Sequence, residues 1–327
     1  MKKRLGLVVA LIISIIWIAH SHVGAASYPT KPVTFMVPNS PGGGRDIQGR
    51  AFAAFAQKLL GKPIVFTNKP GANGMIGLLS LAKSPPDGYI VGVTSPTDIE
   101  AVDWEIANGR KPPITRDDFI YVGTYTWSAH LLAVPYNSPW KTLNDLIRDA
   151  KAKPGFYSFA SSGMNAGTHI SVEMFMEATG LKFRHVPFQG GGPAVAAIVG
   201  NHVDFGIMAA SSGFELVRGK KLRVLSIQDS KRNKFLPDVP TIHEFGITGC
   251  DTNGFNGLIV PRKTPMSVVE KLREVTRKVT EDKSFIDIVQ NLGSESNFIT
   301  GDELTQMVKS ESDLRMVIFK RLIKQQK

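Results

Sequence analysis

The sequence predicts an α/β protein of two lobes, each lobe a mixed, mostly parallel β-sheet flanked by helices. Short apolar runs rich in β-forming residues alternate with helical patterns, which is typical of parallel α/β sheets. Glycine-rich turns join several of these strands to the helices that follow them. About 300 residues follow an N-terminal apolar segment, and one hydrophobic core seldom extends over so long a chain. We therefore expect two lobes, joined by strands that cross between them.

The N-terminus has the pattern of a secretory signal peptide, which we assign to 1–26. Three basic residues precede an uncharged apolar run over 5–19, and small residues at 24–26 suit signal peptidase. The apolar run is shorter than the ~20 residues that a membrane-spanning helix needs, although an uncleaved anchor is the alternative. We expect cleavage near Ala25 or Ala26 and a periplasmic product.

The charge and the cysteine content exclude several classes of protein. Cleavage would leave 36 of the 39 basic residues and all 28 acidic residues, a net charge of +8. No run of basic residues exceeds three, and export separates the chain from nucleic acid, so we predict no nucleic-acid partner. Cys250 is the single cysteine, which excludes an intramolecular disulfide and predicts a small buried side chain.

Strand–turn–helix units follow one another through the first half of the chain. The first helix places Phe52, Phe55 and Leu59 on one face, and Gly61 ends it. No element is predicted over 97–118. In order, we predict strand 33–37, helix 46–60, strand 63–67, helix 75–82 and strand 89–94.

The second half begins with a long stretch of β character and a helix that we expect to be capped around Ser138. A later helix has Pro193 in its first turn, where proline is favoured. We expect the chain to cross between lobes near 125–132 and again near 251–257. The predicted strands are 119–134, 156–159, 183–187, 203–208 and 222–227, and the predicted helices include 168–179, 265–280, 282–291 and 301–324.

Three glycine-rich turns, 39–46, 160–168 and 188–193, each join a strand to a helix. In open α/β sheets such turns lie at the carboxyl ends of strands, where ligands bind. A helix that begins there presents unpaired N–H groups and the positive end of its dipole. If the first turn lies on one lobe and the others on the second, they face each other across a cleft that favours anions.

No catalytic or nucleotide-binding motif is complete. Ile47 stands where a dinucleotide-binding loop needs its third glycine, and 44–51 lacks the lysine and hydroxyl of a phosphate-binding loop. A secreted hydrolase that uses Ser161 or Ser162 with His169 is the alternative function. Loop and helix-cap hydrogen bonds explain these hydroxyls without catalysis.

The remaining histidines of the predicted mature chain lack metal-ligand spacing. They are scattered, with neither an H-x-x-x-H nor an H-E-x-x-H pattern, so structural roles are favoured for each of them. We predict no metal, no cofactor and no enzymatic activity. The histidines concerned are His130, His185, His202 and His243.

Seven stretches between about residues 28 and 262 occur in the order and spacing of one protein family. They are YPTKPVTFMVPNSPGGGRD, NKPGANGMIG, AKSPPDGY, YSFASSGMNAGTH, HVPFQGGGPAVAAIVGNHVD, GKKLRVLSI and LPDVPTIHEFGI. On these stretches the chain resembles the extracytoplasmic solute receptors of tripartite tricarboxylate transporters, the Bug family. The resemblance implies a flytrap-like periplasmic binding protein of type II that delivers a small carboxylate to membrane permease subunits.

The resemblance also implies a division of the chain and a set of ligand contacts. Lobe 1 would comprise 27–127 with 255–327, and lobe 2 would comprise 128–254. Loop backbone groups and ordered water would hold one carboxylate of the ligand. The glycines could instead form only a tight turn, and Asp46 and Thr168 could serve only as helix caps. The implied contacts are Ser40, Gly42, Gly43, Gly44, Arg45, Asp46, Ser95, Thr97, Ala160, Ser161, Ser162, Asn165, Thr168, Gln189 and Met208.

Two departures from the family pattern bear on the ligand. Arg45 stands where the family commonly has a small hydroxyl residue, and Met208 and Ala209 stand where many members have Asp-Asn. The first adds a cation, and the second removes an acidic partner for an ammonium group. We therefore predict a dicarboxylate without an amine, with Arg45 on its second carboxylate. The alternatives are that Arg45 faces solvent or pairs with Asp46, and that the receptor serves a sensor kinase.

Overall fold

The computed structural model describes residues 28–325, and the predicted signal peptide lies outside them. The strands are β1 Val33–Val37, β2 Ile64–Asn68, β3 Ile90–Thr94, β4 Phe119–Pro135, β5 Ser158–Ser161, β6 Arg184–Pro187, β7 Phe205–Ala209, β8 Leu222–Ile227, β9 Asn253–Pro261 and β10 Glu295–Ser296. The α-helices are α1 Gly44–Leu60, α2 Met75–Ala82, α3 Pro96–Ala107, α4 Leu143–Ala152, α5 Gly167–Thr179, α6 Gly191–Val199, α7 Ala210–Arg218, α8 Met266–Glu281, α9 Lys283–Asn291 and α10 Gly301–Gln325.

The strands form two sheets that share β4. The first sheet has the order β2-β1-β3-β9-β4, with β1 parallel to β2 and β3, and with β9 antiparallel to β3 and β4. The second has the order β6-β5-β7-β4, with β5 parallel to both neighbours, and β8 also pairs with β4. β4 pairs with β9 as far as Ala129 and with β7 from His130 onward. The mixed α/β fold expected from the sequence is confirmed.

An aromatic cluster centred on Phe52 holds the first sheet to its helices. Phe52, on α1, is fully buried and stacks on Tyr125 of β4 with ring centroids 4.5 Å apart. Phe35 of β1 and Phe285 of α9 lie on its other sides, at 6.1 Å and 6.0 Å. Buried aromatic pairs of this kind stabilise a fold beyond the area that they bury.

The second sheet has its own core, which includes the single cysteine. Phe159 of β5 and Phe205 of β7 are fully buried, with ring centroids 5.9 Å apart. Cys250 is buried in the same cluster, and burial raises the pKa of its thiol to about 11. The prediction of a small buried residue is confirmed. Each sheet therefore has a separate apolar core, and β4 passes through both sheets.

The sequence patterns missed four elements, α3, α7, β9 and the short β10, and misplaced one cap. Helix α3 lies within 97–118 apart from its first residue, and neither α7 nor β9 was assigned. Helix α4 does not begin near Ser138. It begins after Thr142, whose hydroxyl accepts from Asp145 N while the Asp145 carboxylate accepts from Thr142 N, a capping box.

Across 28–325, no helix combines the length and the apolar character that a membrane crossing requires. In the same range, no group of three or more histidine, cysteine, aspartate or glutamate side chains is placed to hold a metal ion.

Candidate functional site

A cavity of about 110 Å³ lies between elements of the two sheets. We call it the inner cavity. Residues of the β1–α1 turn form one side, and residues of β5, α6 and the β7–α7 junction form the other. Residues of β4, the strand that the two sheets share, and of β9, which pairs with it, complete the wall. The three glycine-rich turns identified from the sequence therefore contribute residues to one space.

Three helices begin at this cavity without a capping side chain of their own. The N-cap residues are Gly43 for α1, Gly190 for α6 and Ala209 for α7, and none makes a side-chain cap hydrogen bond. Helices α4 and α9, which contribute nothing to the cavity, are capped by Thr142 and Asp282. Because the first N–H groups of a helix have no partner within it, three sets of donors converge here.

At two of the three consecutive positions the structure requires glycine, at one for its backbone conformation and at the other for lack of space. Gly42 has φ +82°, a left-handed conformation that a side chain disfavours. Gly44 lies against α7, where its N–H donates to Ser212 Oγ at 3.0 Å and an added methyl group would overlap the Ser211 hydroxyl. The glycine turn therefore brings backbone of the first sheet against a helix start of the second.

The Asp46 carboxylate is fully engaged within the protein. It accepts hydrogen bonds from Gly42 N at 3.0 Å, Arg50 Nε at 3.1 Å and Asn68 Nδ2 at 2.9 Å. Burial opposes its ionisation, but these hydrogen bonds outweigh burial and hold the pKa of Asp46 below its ordinary value. Asp46 lines the inner cavity, yet its charge is balanced by Arg50, so its main role is to hold the glycine turn.

Arg45 contacts Ser95 and does not pair with Asp46. Its guanidinium donates a hydrogen bond to the hydroxyl of Ser95, at the end of β3, and both residues line the inner cavity. Arg50 binds the Asp46 carboxylate and lies outside the cavity lining, whereas Arg45 lines the inner cavity. The two predicted residues Arg45 and Ser95 thus lie together.

The loop after β5 is held by hydroxyl and imidazole groups. Ser161 is fully buried, and its hydroxyl donates to Gly163 O at 2.9 Å, so His185 Nε2, 2.6 Å away, must donate to Ser161. Ser162 N and Ser162 Oγ contact Thr168 Oγ1 at 2.8 Å and 3.0 Å. These bonds fix the loop that brings Ser162 to the cavity.

A larger outer cavity of about 560 Å³ adjoins the inner one. Asn39, Ser40 and Ser162 line both cavities. The outer cavity adds Trp104, Phe188 and other apolar side chains. It is therefore larger than the inner space and lies directly beside it.

The predicted contacts distribute between the two cavities, and whether each touches ligand stays a prediction. Gly42 and Ser161 line neither cavity, and the side chain of Thr97 lies outside the described part of the structure. Asn165 and Gln189 line the outer cavity only. The inner cavity is lined by Ser40, Gly43, Gly44, Arg45, Asp46, Ser95, Ala160, Ser162, Thr168 and Met208.

Several lining residues were not predicted. Ser128 and His130 on β4 and Asn256 on β9 line the inner cavity, as do the serines at the start of α7. Burial lowers the pKa of His130 to about 4, so its imidazole is neutral. The sequence did indicate the segments that carry these residues, the predicted crossings over 125–132 and 251–257. Residues of segments that cross between two lobes face the space between them.

A family model described as tripartite tricarboxylate transporter family receptor matches residues 49–325. The chain belongs to this family. MatC from Rhodopseudomonas palustris with bound malate is 26% identical, with a TM-score of 0.82 over 90% of this chain and 100% of that one. The R. palustris protein Rpa4515 with adipate is 26% identical, with a TM-score of 0.81 over 90% and 98%.

The periplasmic binding protein BugD is 27% identical, with a TM-score of 0.83 over 90% of this chain and 98% of that one. The resemblance inferred from seven stretches is therefore confirmed, and so is the fold class. The receptor interpretation is favoured over the hydrolase. His169 Nδ1 accepts from Asn165 N at 3.0 Å, while the Ser162 hydroxyl contacts Thr168.

We expect Asp46→Asn to lower the free energy of unfolding at pH 7 by about 1.5–3 kcal/mol, the range for hydrogen bonds to a charged group. The folded-state pKa of Asp46 is lowered, so its contribution is complete above the unfolded pKa of about 4 and is lost as the pH falls through the folded pKa. Urea unfolding at pH 7 and pH 3 should therefore show a difference between wild type and variant that shrinks in acid.

The control is Asp287→Asn, which removes an exposed carboxylate on α9. It should change the free energy of unfolding little at either pH. A difference between wild type and Asp46→Asn that stays constant from pH 7 to pH 3 would contradict the role assigned to the ionised carboxylate.

Proposed function

We propose that this receptor binds a small dicarboxylate in the inner cavity and delivers it to membrane permease subunits of a tripartite transporter. We also propose a periplasmic location after removal of 1–26, and no catalytic activity. The observation that carries the proposal is the convergence of three helix starts without capping side chains beside the Arg45 guanidinium. Backbone N–H groups and a guanidinium together form a site for carboxylates.

The balance of charge in the cavity favours a dianion over an amino acid. Asp46 is the one acidic residue among the lining residues in the described chain, and it already accepts hydrogen bonds from Arg50. Among the described lining residues, a buried ammonium group would find no carboxylate other than Asp46, which Arg50 already engages, and it would lie near Arg45, so its transfer from water would be costly. A second carboxylate would instead find Arg45.

The size of the inner cavity suits a short acid. A volume of 110 Å³ corresponds to about four water molecules at the ~30 Å³ that each occupies in the liquid, which suits a short acid better than a long one. MatC holds malate and Rpa4515 holds adipate, both dicarboxylates, in structures that resemble this one. A longer acid could extend past Ser40 and Ser162 into the outer cavity.

We further propose that ligand binding closes two lobes, 27–127 with 255–327 and 128–254, about the two crossings. Gly44 N donates to Ser212 Oγ across the cavity, and Gly43 lies beside the backbone of Gly191 and Gly192. Contacts of this kind form only when the two sides of the cavity are close together. Hinges of few residues are common in proteins that enclose their ligands.

Calorimetric titration with dicarboxylates, monocarboxylates and amino acids tests the proposed function. We expect the dicarboxylates to bind most tightly, because they use both the helix starts and Arg45. Chromatography of the recovered ligand should show it chemically unchanged. Altered ligand in excess over the protein would contradict the receptor function, and preferential binding of amino acids would contradict the proposed ligand class.

We expect Arg45→Ala to weaken dicarboxylate binding by about ten- to a hundred-fold, the effect of losing one charge-assisted hydrogen bond. The matching monocarboxylate should lose much less, because it lacks the group that Arg45 contacts. Arg148→Ala, which removes an exposed arginine on α4, is the control and should leave both affinities unchanged. Equal losses for both acids would contradict the assignment of Arg45 to the second carboxylate.

Small-angle scattering with and without a confirmed ligand tests the proposed closure. We expect a smaller radius of gyration in the bound protein, because closure brings the two lobes together about their crossing strands. Binding should be verified by calorimetry in the same sample. A radius that stays the same in the saturated protein would show that binding does not close the two lobes.

A further inference from the structure

The wall of the inner cavity formed by β4 and β9 presents polar groups that the carboxylate site does not use. Ser128 and His130 lie on β4, and Asn256 lies on β9. Opposite them are the helix starts and Arg45, which donate hydrogen bonds. The protonation and orientation of His130 and Asn256 determine what the β4–β9 wall can bind.

The hydrogen bonds around His130 determine its tautomer. The Ser171 hydroxyl donates to Gly167 O at 2.7 Å, which uses its one proton. His130 Nδ1 lies 3.3 Å from Ser171 Oγ and must therefore donate to it. The proton of the neutral imidazole is then on Nδ1, and Nε2 carries a lone pair.

His130 Nε2 lies on the cavity side of the ring. Nε2 lies 3.5 Å from the position that a Cβ atom on Gly254 would take. Gly254, on β9, is another residue that lines the cavity. Nε2 has no hydrogen-bond partner within the described chain. Burial lowers the pKa of His130 to about 4, which keeps Nε2 unprotonated at neutral pH. The imidazole therefore offers the cavity an unused acceptor.

Asn256 adds an acceptor of the same kind. Its Nδ2 donates to Thr126 Oγ1 at 3.0 Å and also to Gln48 Oε1, on the side away from the cavity. The Gln48 amide is itself oriented, because Thr126 Oγ1 donates to its Oε1 at 2.8 Å and its Nε2 donates to Ser294 Oγ at 2.6 Å. The amide oxygen of Asn256 is thus left as an acceptor.

Two neutral acceptors require a donor on the ligand, and the chemistry of the cavity selects which donor. Among the described lining residues, an ammonium group would find no carboxylate other than the engaged Asp46, and it would lie near Arg45, as argued above. A carboxylate presents only acceptors at neutral pH and would meet the lone pair of Nε2. A hydroxyl group carries a proton without a charge and satisfies the acceptor.

We propose that His130 is a specificity-determining residue that accepts a hydrogen bond from a ligand hydroxyl, so that the receptor selects hydroxy-carboxylic acids. This inference rests on the proposed function, because it takes the carboxylates to be held by the helix starts and Arg45. The hydroxyl would lie toward the β4–β9 wall, with Asn256 as a second acceptor.

The test compares acids that differ only in the hydroxyl group: malate with succinate, 2-hydroxyglutarate with glutarate, and citrate with tricarballylate. Calorimetry of the wild-type receptor should show at least one hydroxy acid binding about three- to ten-fold more tightly than its partner, the effect of one neutral hydrogen bond. His130→Leu should remove this preference and leave the affinity for the acid without the hydroxyl unchanged. His130→Gln, which retains an acceptor, should restore part of it.

His202→Leu is the matched control, because His202 is exposed and lines neither cavity. Equal binding of both members of every pair would overturn the inference and leave the proposed function intact. An equal loss for both acids in His130→Leu would also overturn it, because His130 would then contact a carboxylate. Failure of every carboxylate to bind would overturn the proposed function together with the inference.

A second measurement decides the question if the variants do not fold. The Nε2 resonance of His130 in the ¹⁵N-labelled wild-type receptor should shift on addition of the preferred hydroxy acid and much less with its partner. The same shift for both acids would overturn the inference.

Discussion

The first backbone N–H groups of a helix have no partner within that helix, and this receptor brings three helix starts to one cavity. Helices α1, α6 and α7 begin at the inner cavity behind glycine or alanine, residues without a side-chain acceptor. Helices α4 and α9, which lie away from the cavity, are instead capped by Thr142 and Asp282. The rest of the fold serves to bring the three helix starts together.

The start of α5 lies beside a carboxylate of the protein itself. The Glu100 carboxylate, carried by α3, lies beside Gly167, the first residue of that helix. Arg315 of α10 lies 3.5 Å from the same carboxylate. A carboxylate between a helix start and an arginine is the arrangement that we propose for the ligand at the inner cavity. In one case the chain supplies the carboxylate, and in the other an external acid supplies it.

Most of the fold followed from local patterns, because the periodicity of apolar residues and the glycine turns are properties of short segments. The missed elements had weak local signals. Helix α3 begins with Pro96, a favourable first residue. Its apolar periodicity is interrupted by Glu100 and Asp103, polar residues whose burial depends on contacts with other helices. Strand β9 contains Gly254 and Gly257, which weaken a strand pattern, and it is held by pairing with β3 and β4.

The site was predicted best where backbone groups form it and least where side chains from distant segments meet. The glycine turn and Ser162 lie at the inner cavity, as their position after strands indicated. Ser161 follows the same pattern but is fully buried, because the side chains of a strand alternate between its two faces. For His130 the sequence indicated only a place within the predicted crossing over 125–132, since its contact with Ser171 joins residues that only the fold brings together.

Two arginines near the glycine turn have different roles, which explains how the turn can be rigid while the cavity accepts an anion. Arg50 and Asp46 neutralise each other, and with Asn68 they hold the glycine turn through bonds that need no ligand. Arg45 projects from the same turn toward Ser95, a neutral partner. Its guanidinium is therefore oriented at the cavity wall before a ligand binds. Because Arg50 holds Asp46, the turn keeps its shape without drawing Arg45 away from the cavity.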